Sequence, residues 1–183
     1  DHVLVLEVDE KILLARIQGR AGETETARSD DNEDVLKNRL DVYRPIADGK
    51  YPVILSHGVY AKGLAYQEGY PMQWQKMVAD HPEILEGSTN KYQAWEVTDP
   101  ERWVPHGYAV VRVDSRGSGW SPGYLDPLCP REDDDLYACI EWAGTQPWSN
   151  GKVGMVGISY YAVNQWRVAT KRPPHLAALI PWE

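Results

Sequence analysis

The sequence predicts an α/β fold built on a mostly parallel, doubly wound sheet. Three near-continuous apolar runs, at residues 51–56, 108–113 and 153–158, are typical of strands buried on both faces. Helical patterns lie between these runs and after the last one. Strands that alternate with helices indicate parallel strands, and reactive loops are then expected at the carboxyl ends of those strands.

The N-terminal half is predicted to contain short strands and long connections. Apolar clusters within residues 1–18 predict a hairpin or two edge strands, and the polar stretch at 19–34 predicts an exposed loop or mobile linker. A short strand is predicted at 39–43, before Arg44-Pro45, and a short helix at 71–79. Residues 82–106 predict a long irregular connection, a kind of segment that is often functional.

The C-terminal half shows a clearer alternation of elements. Pro130 begins a predicted helix with an acidic first turn, and one apolar face carries Leu136, Cys139, Ile140 and Ala143. A second helix is predicted over 160–171, where Arg172-Pro173-Pro174 ends it. The last predicted strand covers 176–180.

Composition excludes several classes of partner and site. The chain has 183 residues, enough for one sizeable core, and its formal charge of −8 argues against nucleic acid or an anionic membrane surface as a partner. No apolar stretch approaches the ~20 residues that span a membrane. Cys129 and Cys139 form neither a disulfide framework nor a metal-site spacing, and Cys139 is predicted to be a small core residue.

Ser159 is the candidate nucleophile because it stands between a short apolar strand and a helix. A serine at such a turn is pushed out of the sheet, and the helix behind it offers free backbone N–H groups to a developing oxyanion. Gly157 provides the small residue that a strained turn needs, but Tyr161 replaces the second glycine of the common G-x-S-x-G pattern. An ordinary helix N-cap is the alternative interpretation of this serine.

From about residue 40 onward, the chain resembles the X-Pro dipeptidyl-peptidase and cocaine esterase (CocE/NonD-type) family of α/β-hydrolases. The resemblance rests on motifs that occur in the family's order. They are Asp41-Val42-Tyr43-Arg44-Pro45, Tyr51-Pro52-Val53-Ile54-Leu55, Asp114-Ser115-Arg116-Gly117-Ser118-Gly119, Ile140-Glu141-Trp142, residues 146–154, Gly157-Ile158-Ser159-Tyr160 and Pro173-Pro174-His175-Leu176-Ala177. The resemblance implies an α/β-hydrolase fold that ends before the cap and the C-terminal part of the domain.

The same resemblance assigns residues to catalytic roles. The family's elbow reads G-x-S-Y-x-G, and Ala162 keeps its last position small. Ser159 is then the nucleophile of a serine hydrolase that acts on esters or amides through an acyl-enzyme. The backbone N–H of Tyr160 and the hydroxyl of Tyr60 are expected to form the oxyanion hole, and no cofactor or metal is expected.

The rest of the catalytic triad is expected in a missing C-terminal segment. Triad residues follow the order Ser, Asp, His along α/β-hydrolase chains, so His57, His81 and His106 come too early. His175 precedes the expected aspartate, and His57 is interpreted as a residue of the oxyanion loop. Two alternatives remain open: an inactive fragment or binding domain that keeps the scaffold, and an X-Pro dipeptidyl-peptidase.

Two other motifs point to different chemistry and are disfavoured. The glycines at 117, 119 and 123 follow a strand, but their spacing, Pro122 and the lack of a helix there argue against dinucleotide binding. The acidic run at residues 132–135 could hold a metal. It is interpreted instead as a helix N-terminus that complements the helix dipole.

The sequence divides into residues 1–35, which match the family poorly, and 36–183, the N-terminal part of a catalytic domain. The expected partners are an ester or amide substrate, either a small molecule or a peptide, and the remainder of the same catalytic domain. Both ends look cut, since the chain begins at Asp1 and stops after a predicted strand. No signal peptide is visible, which leaves the cytoplasm as the default location.

Overall fold

A computed structural model describes residues 4–6, 40–45, 49–60 and 62–183 of the chain, with the side chains of 4–6 and 40 left out. The predicted polar loop at 19–34 lies outside the described residues. Of the strands predicted within residues 1–18, only Leu4–Leu6 is described.

Within the described residues, six strands form one sheet. They are β1 (Leu4–Leu6), β2 (Leu40–Arg44), β3 (Tyr51–Gly58), β4 (Ala109–Asp114), β5 (Ser149–Ile158) and β6 (Leu176–Trp182). Their order in the sheet is β1-β2-β4-β3-β5-β6. β2 runs antiparallel to β1 and β4, whereas the pairs β4/β3, β3/β5 and β5/β6 are parallel. This arrangement confirms the predicted mostly parallel, doubly wound sheet.

Helices connect the parallel strands. They are α1 (Tyr66–Gly69), α2 (Pro71–Asp80), α3 (Pro100–Trp103), α4 (Pro130–Gly144) and α5 (Tyr160–Ala169), with 3₁₀ turns at Pro82–Leu85 and Val104–His106. None of the helices in the described ranges is long and apolar enough to cross a membrane.

The structure corrects the predictions for one segment and for the ends of two elements. The segment 82–106 is not wholly irregular, because a proline near the start of each of three short helical turns presets the backbone. α5 ends at Ala169, two residues before the predicted end. β6 continues to Trp182 because its pairing with β5 extends to the register Ile158↔Trp182.

α4 packs its apolar face onto the central strands. Leu136, Ile140 and Ala143 are buried there as predicted, and Trp142 joins them at 1% exposure. Cys139, predicted to be a core residue, is half-buried and packs against the edge of this cluster. The packed core holds β3, β4 and β5 side by side, so the loops after these strands meet at one edge of the sheet.

Candidate active site

Ser159 lies at that edge, between the last residue of β5 and the first residue of α5. Its backbone has φ 54° and ψ −114°, a region that L-residues with side chains rarely adopt. Its N–H donates to the carbonyl of Trp182 (3.1 Å), and its carbonyl accepts from Ala162 and Val163 at the start of the helix. The side chain is exposed. The strand and the helix therefore hold the serine in a strained turn at the solvent-facing edge of the sheet.

Gly157 makes this turn possible because the helix passes directly above it. A Cβ atom at this position would lie 2.2 Å from Cβ of Tyr161 and 3.1 Å from that residue's carbonyl oxygen. A Cβ atom at Gly154, in the same strand, would make only ordinary van der Waals contacts, with the nearest atoms at 3.8 Å. The small residue predicted before the serine is thus required by close packing of the helix on the strand.

This contrast leads to a prediction about stability. Gly157→Ala is expected to destabilise the fold by about 1–3 kcal/mol, because the new methyl group must displace helix backbone. Gly154→Ala is the matched control, and it is expected to change stability by less than about 1 kcal/mol. Urea unfolding of both variants measures the difference. Equal unfolding midpoints would contradict the packing argument.

Tyr60 follows β3 and contacts Ser159. The Tyr60 side chain lies near that of Ser159, and its ring packs against the rings of Tyr160 and Tyr161 at centroid distances of 6.2 and 5.6 Å. Burial raises the pKa of the Tyr60 phenol, the charge of Glu96 raises it further, and the nearby Ser159 side chain opposes both effects. A phenol with a raised pKa keeps its proton at neutral pH and can donate it to an oxygen.

The Tyr60 loop is tied to the loop after β4 through Asp114. One carboxylate oxygen accepts the backbone N–H of Lys62 (2.7 Å), and the other accepts that of Trp120 (3.0 Å). Gly119 adopts φ +51° directly against this carboxylate, where a Cβ would lie 2.2 Å away. Burial raises the pKa of Asp114, and the two backbone hydrogen bonds oppose that shift. Gly119, one of the three glycines whose spacing argues against dinucleotide binding, instead allows the loop to pass close to the Asp114 carboxylate.

Tyr160 is the first residue of α5 and contacts the site in two ways. Its backbone N–H has no acceptor within its own helix, as is general for first-turn amides. Its hydroxyl donates to the Glu132 carboxylate, with O–O distances of 2.6 and 2.7 Å. Burial, followed by this hydrogen bond, raises the pKa of the Tyr160 phenol well above its ordinary value.

The histidines occupy separate places. His57 is buried, with its Nδ1 3.4 Å from Ser115 Oγ and its carbonyl accepting from Asn164 Nδ2. His175 precedes β6 at the amino ends of the parallel strands, and its Nδ1 lies 2.8 Å from Glu141 Oε2. The sheet therefore separates His175 from Ser159. His81 and His106 are exposed on the surface of the 70–107 segment.

An apolar groove of about 540 Å³ begins beside the serine turn. Gly157 and Ile158 form one end of it. Trp95 stacks on Tyr70 at 4.3 Å, and Trp182 is 60% exposed. The groove offers an aromatic surface that could contact the apolar part of a substrate. Besides Gly157 and Ile158, the groove is lined mainly by Tyr66, Met77, Trp95, Glu96, Trp103 and Trp182.

The acidic run at 132–135 does more than complement the helix dipole, so that interpretation was incomplete. Glu132 is buried and bonds Tyr160, a contact between residues 28 positions apart that no sequence motif signals. The other three carboxylates form ion pairs at the surface: Asp133 with Arg167 (2.8 Å), Asp134 with Lys171 (2.7 Å) and Asp135 with Arg116 (2.8 Å).

Residues 34–183 match the family model described as X-Pro dipeptidyl-peptidase (S15 family). The chain belongs to this family. The cocaine esterase of Rhodococcus sp. (strain MB1 Bresler) is 32% identical over 150 residues, which cover 81% of this chain and 21% of the esterase. A crystal structure of a CocE/NonD family hydrolase from Staphylococcus aureus matches with 44% identity and a TM-score of 0.65, over 79% of this chain and 24% of that one.

The crystal structure of an aminopeptidase from a marine sediment archaeon has the same fold as this chain. It matches at 21% identity and a TM-score of 0.52, over 78% of this chain and 22% of that one. These comparisons confirm the α/β-hydrolase fold and the family resemblance, and they make the chain part of a hydrolase family. The chain spans about a fifth to a quarter of the length of these relatives.

Proposed function

We propose that the protein carrying this chain is a serine hydrolase that cleaves esters or amides through an acyl-enzyme. Ser159 gives its proton to a general base and attacks the substrate carbonyl, whose C=O double bond opens to an oxyanion. The Tyr160 N–H and the Tyr60 hydroxyl stabilise the resulting oxyanion. Collapse of this intermediate expels the alcohol or amine, which takes up that proton, and water then hydrolyses the acyl-enzyme to the acid and free Ser159. The observation that carries the proposal is the strained, exposed Ser159 at the start of a helix, with the Tyr60 phenol close beside it. This chemistry needs no cofactor.

In this mechanism, the general-base histidine and its aspartate belong to polypeptide beyond residues 1–183. Two observations support this. His175 lies at the opposite edge of the sheet from Ser159, and the relatives extend far beyond the part that this chain matches. The remainder of the catalytic domain would then pack against β6, the last strand at this side of the sheet, where Ile180 and Trp182 are exposed.

An ester is the favoured substrate, and an X-Pro peptide is the second candidate. The aromatic groove beside Ser159 suits an apolar acyl or alcohol group, and the Rhodococcus relative is named for an ester substrate. The description of the matched family names cleavage after X-Pro, which supports the peptidase alternative. Both reactions use the same nucleophile and oxyanion site.

A fluorophosphonate probe tests the proposal on the full-length protein and on the isolated chain. We expect the probe to label the full-length protein at Ser159, as located by peptide mass spectrometry. The isolated 183 residues should react at least about 10⁴-fold more slowly, because a serine without its base loses most of its reactivity. Hydrolysis of p-nitrophenyl acetate and of Gly-Pro p-nitroanilide then distinguishes esterase from X-Pro peptidase activity.

Three results of the labelling and hydrolysis experiments would contradict the proposal. Labelling of the full-length protein at a residue other than Ser159 would overturn the assignment of the nucleophile. A full-length protein that neither labels nor hydrolyses would favour the inactive scaffold or binding domain. Fast labelling of the isolated chain would show that the base lies within residues 1–183.

A further inference from the structure

Glu132 receives three hydrogen bonds from three different segments. The Tyr160 hydroxyl donates from the start of α5, Ser115 Oγ donates from the loop after β4 (2.7 Å), and the Leu128 N–H donates from the loop before α4 (2.7 Å). The residue is only 7% exposed. A buried carboxylate is costly unless donors surround it, so this site is built to hold one.

The position of Glu132 differs from that of its acidic neighbours. Asp133, Asp134 and Asp135 pair with cationic side chains at the surface, whereas the three donors to Glu132 are neutral groups. A hydrogen bond from a phenol to an ionised carboxylate is short and stronger than one between neutral groups. The bond from Tyr160 therefore restricts the orientation of that side chain.

Tyr160 connects this carboxylate to the oxyanion donors. Its backbone N–H belongs to the residue directly after the strained Ser159. Its ring meets the ring of Tyr60 edge-to-face at 6.2 Å, with an interplanar angle of 68°. A restraint on the Tyr160 side chain thus acts on one donor through the shared Cα and on the other through ring packing.

We propose that Glu132 is a positioning residue that orients both oxyanion donors by holding the phenol of Tyr160. This inference rests on the proposed function, since it assigns a role within the same site. In this role Glu132 acts through Tyr160 and does not itself contact the substrate. Because misplacement of a catalytic group by about 1 Å can cost ~100-fold in rate, removal of the carboxylate should lower kcat and leave KM little changed.

The test is steady-state ester hydrolysis by the full-length protein with a double-mutant cycle. Glu132→Ala is expected to lower kcat by about tenfold to 100-fold, and Glu132→Gln, which keeps an acceptor oxygen, should recover most of that loss. Tyr160→Phe removes one hydroxyl and should lower kcat to a similar extent. In the Tyr160→Phe background, adding Glu132→Ala should have little further effect on kcat.

Glu141→Gln is the matched control, because Glu141 belongs to the same helix and bonds His175 at the opposite edge of the sheet. It should change the melting temperature without changing kcat. If Glu132→Ala leaves kcat unchanged, or lowers it equally in the presence and absence of the Tyr160 hydroxyl, the positioning role is wrong. If Glu132→Ala does not fold, Glu132→Gln and Tyr160→Phe still decide the question, since unchanged kcat in Tyr160→Phe would refute it.

Labelling of Ser159 in the wild-type protein separates this proposal from the one on which it rests. A wild-type protein whose Ser159 does not react overturns the proposed function and the positioning role together. A reactive Ser159 combined with normal kcat in the Glu132 variants overturns the positioning role alone.

Discussion

Ser159→Ala is expected to lower kcat for ester hydrolysis by the full-length protein by about 10⁴-fold or more. In the proposed mechanism the hydroxyl oxygen forms the bond to the acyl group, so no acyl-enzyme can form without it. Residual hydrolysis would come from the oxyanion donors and substrate binding alone. The measurement is kcat and KM with p-nitrophenyl acetate, and KM should change far less than kcat.

Ser149→Ala is the matched control for this experiment. Ser149 begins the same strand, β5, at the other edge of the sheet, and its Oγ accepts the backbone N–H of Gly151 (3.1 Å). Losing this hydrogen bond should lower stability by about 1 kcal/mol and leave kcat unchanged. A Ser159→Ala variant with nearly normal kcat would mean that Ser159 is not the nucleophile; a side-chain N-cap is already disfavoured, since the Ser159 hydroxyl makes no capping hydrogen bond to α5.

Tyr60→Phe is expected to lower kcat by about 100-fold to 1,000-fold, with little change in KM. In the proposed mechanism the phenol donates a hydrogen bond that strengthens as negative charge develops on the substrate oxygen, and loss of one such donor has this size of effect. Because the ring remains, packing against Tyr160 and Tyr161 should persist, and the stability of the variant should stay close to that of the wild type.

Tyr51→Phe controls for the loss of a tyrosine hydroxyl elsewhere. Tyr51 is the first residue of β3, the strand that Tyr60 follows, and it packs against the core at the other edge of the sheet. It should leave kcat unchanged. If Tyr60→Phe raises KM while kcat stays constant, Tyr60 binds the ground state of the substrate and is not an oxyanion donor.

The sheet was predictable from sequence because its central strands are buried on both faces. Residues 109–114 lie entirely in the interior, so the strand is mostly apolar, with Arg112 and Asp114 as its charged residues, and this pattern is visible without a structure. The connection at 82–106 was less predictable. Its short helical turns depend on prolines and local packing, since the segment lacks a helical apolar period.

The residues of the candidate site also differ in how far the sequence predicts their roles. Ser159 could be found because a strand, a small residue and a helix surround it in consecutive positions. The sequence suggests Tyr60 only through family resemblance, because its ring packing against Tyr160 is a contact across 100 positions of sequence. Glu132 carried no sequence signal for its role, because an acidic residue in the first turn of a helix is common for electrostatic reasons alone.

The α/β alternation, the order of the elements and the turn at Ser159 can be predicted from local sequence patterns, because these features depend on residues that are neighbours in the chain. Which side chains surround that serine depends on the three-dimensional packing of the chain. The parallel strands place their carboxyl ends at one edge, which brings Tyr60, Asp114 and Tyr160 together and leaves His175 at the other. Contacts between distant segments follow from the register and packing of the sheet, which local patterns do not encode.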